Sequence, residues 1–314
     1  MSDTTPADDS PIARNDEPSR AALSSAEVKR QLPGSDAVPT RPMEFDTWVH
    51  DLPKYFAADG NIVLSHVIAV LSSVFPDGED FFVRSVRADA DEITDPVLAG
   101  DVEGFIGQEA MHGREHRVMN DKLAELGYPT RGIGRYVRAA TAVRERIQGK
   151  KGNLAITAAL EHYTASLAET VLGHEEARAA IAHPGMRCLL VWHSLEESEH
   201  KAVAFDVFRS AGGTERMRVL AMWATHLTFV LETGIWTAIS LARDPYARRH
   251  PWQVAKSGAR LRKSPFVKPE AIRMLFSYHR RGFHPNDRDT TELVAKWRDL
   301  LFGPEGDLRD ALAA

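Results

Sequence analysis

A single cysteine, Cys188, is the whole thiol complement of this 314-residue sequence. One thiol cannot close an internal disulfide, which fits a reducing, cytoplasmic setting and argues against a disulfide-stapled secreted scaffold. Surplus positive charge is also missing: a formal net charge of −5 gives no electrostatic case for nucleic acid. The first residues hold no apolar run of the kind a secretory signal needs. Strand-like alternation is scarce throughout. Two catalytic signatures are absent as well, the Gly-x-Ser-x-Gly elbow and the His-Glu-x-x-His zinc helix. Any hydrolysis would therefore have to run through some other group.

What is present reads as helix. Hydrophobic residues make up 43% of the chain, enough for one large core or two smaller ones. Ala, Leu, Glu and Arg dominate the middle, with apolar residues recurring at spacings of three and four. Residues 1–40, rich in Asp, Ser, Pro, Ala and Arg, read as a disordered tail. Asp8, Asp9, Asp16 and Glu17 set this tail apart from an acid-poor transit peptide. Residues 41–314 read as one helical domain, with a bundle core over about 61–212 and a C-terminal helical extension over 213–314. The pattern predicts a helix from Asn61 to Phe75, an interruption at Pro76-Asp77-Gly78, and a second stretch from Glu79 to about Ala90. A helix from Val97 to about Leu126 follows, opened by Asp95-Pro96 and ended by Gly127-Tyr128-Pro129. A basic amphipathic segment from Pro129 to Gly152 has the length of a crossover, and Asn153 is placed to cap a helix over Leu154 to Leu172. After His183-Pro184-Gly185 a last core helix runs to about Gly212-Gly213.

The stretch from Trp192 to His200 loads metal-ligand residue types into an apolar run. At about 100° per residue, His193, Glu197 and His200 fall in one stripe. A second Glu-x-x-His pair is found at Glu109 and His112, and each pair follows a helix offering a lone glutamate, Glu79 or Glu161. Two Glu-x-x-His helices plus one Glu from each of two others form the ligand set of ferritin-like di-metal carboxylate bundles. Carboxylates bridge hard cations, each imidazole adds one neutral nitrogen, and a spacing of three puts both on one helix face. The fold expected is therefore all-α, a ferritin-like four-helix bundle with additional C-terminal helices, holding two transition-metal ions, iron first and manganese next.

Competing readings sharpen the set. Glu79 near a predicted helix start would also favour the helix dipole. Glu161 and its neighbour His162 point about 100° apart and cannot both face one site. Glu196 is the alternate for Glu197, while Glu115 and Glu199 read as solvated. His193, one turn before Glu197, enters the ligand set, and His116, one turn after His112, is the candidate for an outer partner.

The segments Gly107-Gln108-Glu109-Ala110-Met111-His112, Leu160-Glu161-His162-Tyr163-Thr164-Ala165 and Trp192 through Asp206 together resemble the bacterial family of predicted metal-dependent hydrolases. Phe75-Pro76-Asp77-Gly78-Glu79 and Gly282-Phe283-His284-Pro285 match it too, so the resemblance spans nearly everything after the tail. It implies metal-dependent hydrolysis. More distantly, His193-x-x-x-Glu197-x-x-His200 is similar to the third-histidine pattern of the di-iron arylamine N-oxygenases, which implies ligation by Glu79, Glu109, His112 and Glu161 as well.

The carboxylate-rich set favours an oxidase or oxygenase that uses O₂ and an electron donor on a small organic substrate, with a hydrolase on the same metal pair as the alternative. The apolar run from Met217 to Ala242 is long enough to span a membrane, but His226, Glu232 and Arg218 favour a buried helix instead. Its Trp223, Phe229 and Trp236 could wall an apolar pocket. With the basic segment after it, residues 217–263 could rest on a membrane surface. The reading also leaves room for a homodimer.

Overall fold

A computed structural model describes residues 38–309 and Leu312. The tail assigned to residues 1–40 therefore falls outside the described residues up to position 37. Residues 38–40 are packed: Val38 and Thr40 lie so close to Gly104 and Gly107 that a Cβ on either glycine would come within 2.0–2.1 Å of them. The irregular segment that follows buries Met43, Phe45, Val49, Leu52 and Phe56.

Helix α1 spans Ile62–Ala90, with the Asn61 side chain accepting from the Leu64 amide. The interruption expected at Pro76 does not occur. Pro76 has no N–H to give the Ser72 carbonyl, and Asn120 Nδ2 donates to that carbonyl at 2.9 Å instead. The helix runs on through its proline, and Glu79 lies inside it rather than at a helix start. Helix α2, Pro96–Glu125, is capped by Asp95 as expected. Helix α3, Thr130–Gly173, absorbs the predicted crossover: residues 130–148 are themselves helical, and the break falls at Gly149, where φ is +66°, a conformation glycine adopts readily. Asn153 is accordingly within α3 and caps nothing. Helix α4, Pro184–His200, ends in a turn at Lys201-Ala202, and a separate α5 covers Val203–Ser210, so the predicted continuous helix to Gly212 is broken just past His200.

The extension comprises α6 (Glu215–Arg243), α7 (Pro251–Leu261), α8 (Pro269–Ser277) and α9 (Thr291–Phe302). The fold is all-α, and no strand forms among the described residues beyond two isolated bridges. Helices α1 and α6 are both long and apolar enough to cross a membrane by length and composition. The most apolar window of α6 is only 22% buried, against 50% for α1, which corrects the expectation of a buried helix at 217–242.

Two apolar clusters fix the directions of the core helices. One gathers Phe81, Phe105, Leu154, Ala159 and Phe205; the other gathers Ala69, Met119, Leu172, Leu189 and Trp192. Chain order shows that α1, and α4 continued into α5, run from the second cluster to the first. Helix α2 and the latter half of α3 run the opposite way. Because α2 and that half of α3 point alike, the chain needs a long return between them, and residues 130–148 supply it. Between the clusters lies a layer of buried polar side chains.

Candidate metal centre

Each core helix brings its ligand-type residue to this middle layer. Glu79, Glu109, His112, Glu161, His193, Glu197 and His200 are all at most 4% exposed. On α4 and α2 the spacing of three does what the sequence suggested, since Glu197 with His200 and Glu109 with His112 point into the same space. His200 Nε2 lies 3.1 Å from Glu109 Oε1, 3.3 Å from Glu161 Oε2 and 3.5 Å from Glu197 Oε2. His112 Nδ1 lies 3.6 Å from Glu197 Oε1 and 3.9 Å from Glu109 Oε1. His193 Nε2 lies 2.9 Å from Glu197 Oε1 and 3.8 Å from Glu79 Oε1. The two oxygens of Glu197 thus face different histidines.

Four buried carboxylates this close cannot all carry charge without a cation. Burial, and then the charge of Glu109, pushes the Glu79 carboxyl well above its usual range. Burial and Glu161 do the same to Glu109, and Glu161 is pushed up to about 7 by burial and Glu197. For Glu197 burial acts upward, but the His200 charge and the His193 hydrogen bond outweigh it and hold the group low. His200 is correspondingly raised: burial works against its charge, and Glu197, Glu109 and Glu161 overcome that. Burial, with His193 nearby, holds His112 well below the usual imidazole value. Both oxygens of Glu79, Glu109 and Glu161, one oxygen of Glu197, His112 Nδ1 and His200 Nε2 have no hydrogen-bond partner of good geometry among the described residues. Buried polar atoms are rarely left so. Their clustering, with nitrogen and oxygen donors converging in groups such as Glu109, Glu161 and His200, fits divalent ions.

The far side of each histidine is held by an outer layer. His200 Nδ1 donates to Gln108 Oε1 at 2.8 Å, and Gln108 Nε2 donates to Glu199 and to the Pro39 carbonyl. His112 Nε2 donates to Glu196 Oε2 at 3.1 Å. Arg41 bridges Glu196 and Glu199, and Arg298 reaches Glu199 too. His193 Nδ1 meets His116 Nε2 at 2.8 Å, and His116 Nδ1 meets Ser72 Oγ at 2.9 Å. Ser72 Oγ in turn donates to Asn120 Oδ1. Partners of this kind fix which nitrogen of an imidazole is free for a metal.

Three sequence expectations change here. Glu196 is no alternate for Glu197 but stands behind His112. Glu199 and Glu115, read as solvated, are buried: the Glu199 side chain is 1% exposed, and Glu115 accepts from the Phe45 amide. In both cases the packed segment after residue 38 covers them. His162 turns away from the site, as its offset from Glu161 requires, to the carbonyls of Met274 and Leu275. Arg41, Ser72, Asn120 and Arg298 went unnoticed in the sequence because each acts across a long chain separation that no local pattern encodes.

A cavity of about 270 Å³ reaches the cluster. His193 and Glu197 end it on the inside, Leu71, Phe75 and Phe229 wall it, and Leu261 and Val267 lie at its outer part. Trp236 lines an adjoining space of about 90 Å³ that shares Leu71 and Phe229, whereas Trp223 lies outside, against His279 and Phe276.

A sequence model of one protein family, described as predicted metal-dependent hydrolase, matches residues 39–289. The chain belongs to that family. The matched span holds all seven ligand-type residues and all of the outer layer except Arg298. No protein of curated function and no solved structure matches the chain, so the more distant resemblance to the arylamine N-oxygenases has no relative to rest on.

Proposed function

We propose that this member of the metal-dependent hydrolase family is a two-metal enzyme built on a ferritin-like bundle. Glu79, Glu109 and His112 would hold one ion, and Glu161, Glu197 and His200 the other, with Glu109 and Glu197 shared. His193 would add a nitrogen through Nε2, and His116 would act behind it as a positioning residue. The observation that carries this reading is the convergence of four carboxylates and three imidazoles whose inward atoms, apart from the His193 Nε2–Glu197 Oε1 pair, have no hydrogen-bond partner among the described residues.

For the reaction, the family match backs hydrolysis over the oxidation that the ligand types alone favoured. Bound ions would supply a water of lowered pKa and polarise the bond to be cleaved. The chain's own part is to hold the ions through the shared carboxylates, fix each imidazole from behind, and offer the substrate an apolar cavity that excludes water. O₂-dependent oxidation with an electron donor is the second reading. It is favoured by the four carboxylates, which suit iron or manganese, and by the apolar walls of the cavity, which would shield a reactive oxidant.

Metal analysis tests the site, with two ions expected per chain and at least one lost in Glu109→Ala and in His200→Ala. Unchanged metal content in both variants overturns the assignment. Turnover of ester or amide substrates with apolar chains, under strict anaerobiosis and with zinc as well as iron, is the result expected of a hydrolase, because zinc has no redox chemistry. Turnover that demands both O₂ and a reductant would replace hydrolysis with oxidation.

A further inference from the structure

Helix α6 presents an outward stripe of Leu220, Trp223, Leu227, Val230, Leu231 and Ile235, each between 51% and 65% exposed. These positions follow helical spacing, and the charged residues on the helix between Arg216 and Arg243 are the buried Arg218 and the half-buried Glu232, which accepts from the Tyr136 hydroxyl. Soluble chains seldom leave so long an apolar face bare. Trp223 touches Phe276 of α8, itself 47% exposed, so the face extends beyond one helix.

The chain that follows α6 is basic. Between Arg243 and Lys268 there are eight Lys and Arg residues and one acid, Asp244, and Asp244 is buried against Lys54, His66 and Tyr55. Arg260 pairs with Asp59 and Lys268 with Glu176; the other six cations are exposed. Trp252, 81% exposed, stands among them. In a chain of net charge −5 this concentration of positive charge beside an apolar face matches one kind of surface, an apolar layer behind anionic headgroups. A second copy docking face to face would bring the same cations toward one another. The cavity adds a third observation: Phe229 and Thr233 of α6 form one of its walls, and Leu261, Phe266 and the half-exposed Val267 of the basic segment form another.

We propose that the outward face of α6 and the basic segment 243–268 seat this protein on the surface of a bilayer containing anionic lipid, with the outer part of the cavity turned toward it. The docking is independent of the reaction at the metal centre. If the two-metal reading also holds, a substrate with an aliphatic chain would pass from the bilayer between α6 and Leu261.

Co-sedimentation of the full chain with vesicles tests this without any activity measurement. Binding is expected to vesicles of phosphatidylcholine mixed with phosphatidylglycerol, and not to phosphatidylcholine alone, and it should weaken as salt rises. Arg262→Gln combined with Lys263→Gln should weaken it roughly 25-fold, about fivefold for each cation removed. Leu227→Asp combined with Val230→Asp should abolish it while metal content and helicity stay as in the parent chain. Failure to bind anionic vesicles overturns the proposal, as does binding that neither pair of substitutions weakens. Sedimentation showing a dimer that Leu227→Asp splits, with no vesicle binding, would give the face to a second copy instead.

Discussion

Replacing Glu161 with Gln separates what the metal centre costs the fold from what it does. Glu161 is 1% exposed, and its carboxyl is pushed from an ordinary 4.5 up to about 7 by burial and by Glu197. In the metal-free chain the folded state therefore binds this proton more tightly than the unfolded state does. The stability linked to it is fully present below about pH 4.5 and is lost as pH rises through about 7. The gap corresponds to on the order of 3 kcal/mol once the group is ionised. Gln has nearly the same shape and no charge. Metal-free Glu161→Gln should thus be more stable than the metal-free parent by on the order of 3 kcal/mol at pH 8, with little difference near pH 4. The comparison should reverse on metal loading, because the parent gains binding free energy that the variant has partly lost. Urea denaturation of chelator-treated and metal-loaded protein at the two pH values, with metal analysis alongside, measures all of this. A variant that is no more stable at pH 8 and still holds two ions would refute the reasoning and make Glu161 an ordinary buried carboxylate.

Two further predictions address the outer layer. His116→Gln should keep the metal stoichiometry and lower metal affinity or turnover by roughly ten- to a hundred-fold, whereas His193→Gln should change the visible spectrum of a cobalt-loaded centre. A spectrum altered equally by both would place His116 among the ligands. Asn120→Leu should destabilise the chain by about 1–3 kcal/mol, because the Ser72 carbonyl beside Pro76 loses its donor; unchanged stability in a denaturant titration would show that the proline turn needs no such support.

Helical class and the inward set on α2 and α4 were legible in the residues alone. Helical periodicity is a local property, and a Glu-x-x-His spacing places both side chains on one face whatever the rest of the chain does. The divergence of Glu161 and His162 was legible too, for the same reason. Continuity through Pro76 was decided elsewhere, by an Asn120 side chain on another helix that takes over the orphaned Ser72 carbonyl. The burial of Glu115 and Glu199 was decided by the segment after residue 38, whose Arg41 and Phe45 reach α4 and α2 across a long stretch of chain. Which face of α6 meets solvent depends on what packs against it, and its composition suits an interior and an exposed apolar face alike. His193 lies one turn from Glu197 on the same helix, so their contact is local, whereas only the packing of α2 against α4 sets His116 behind His193.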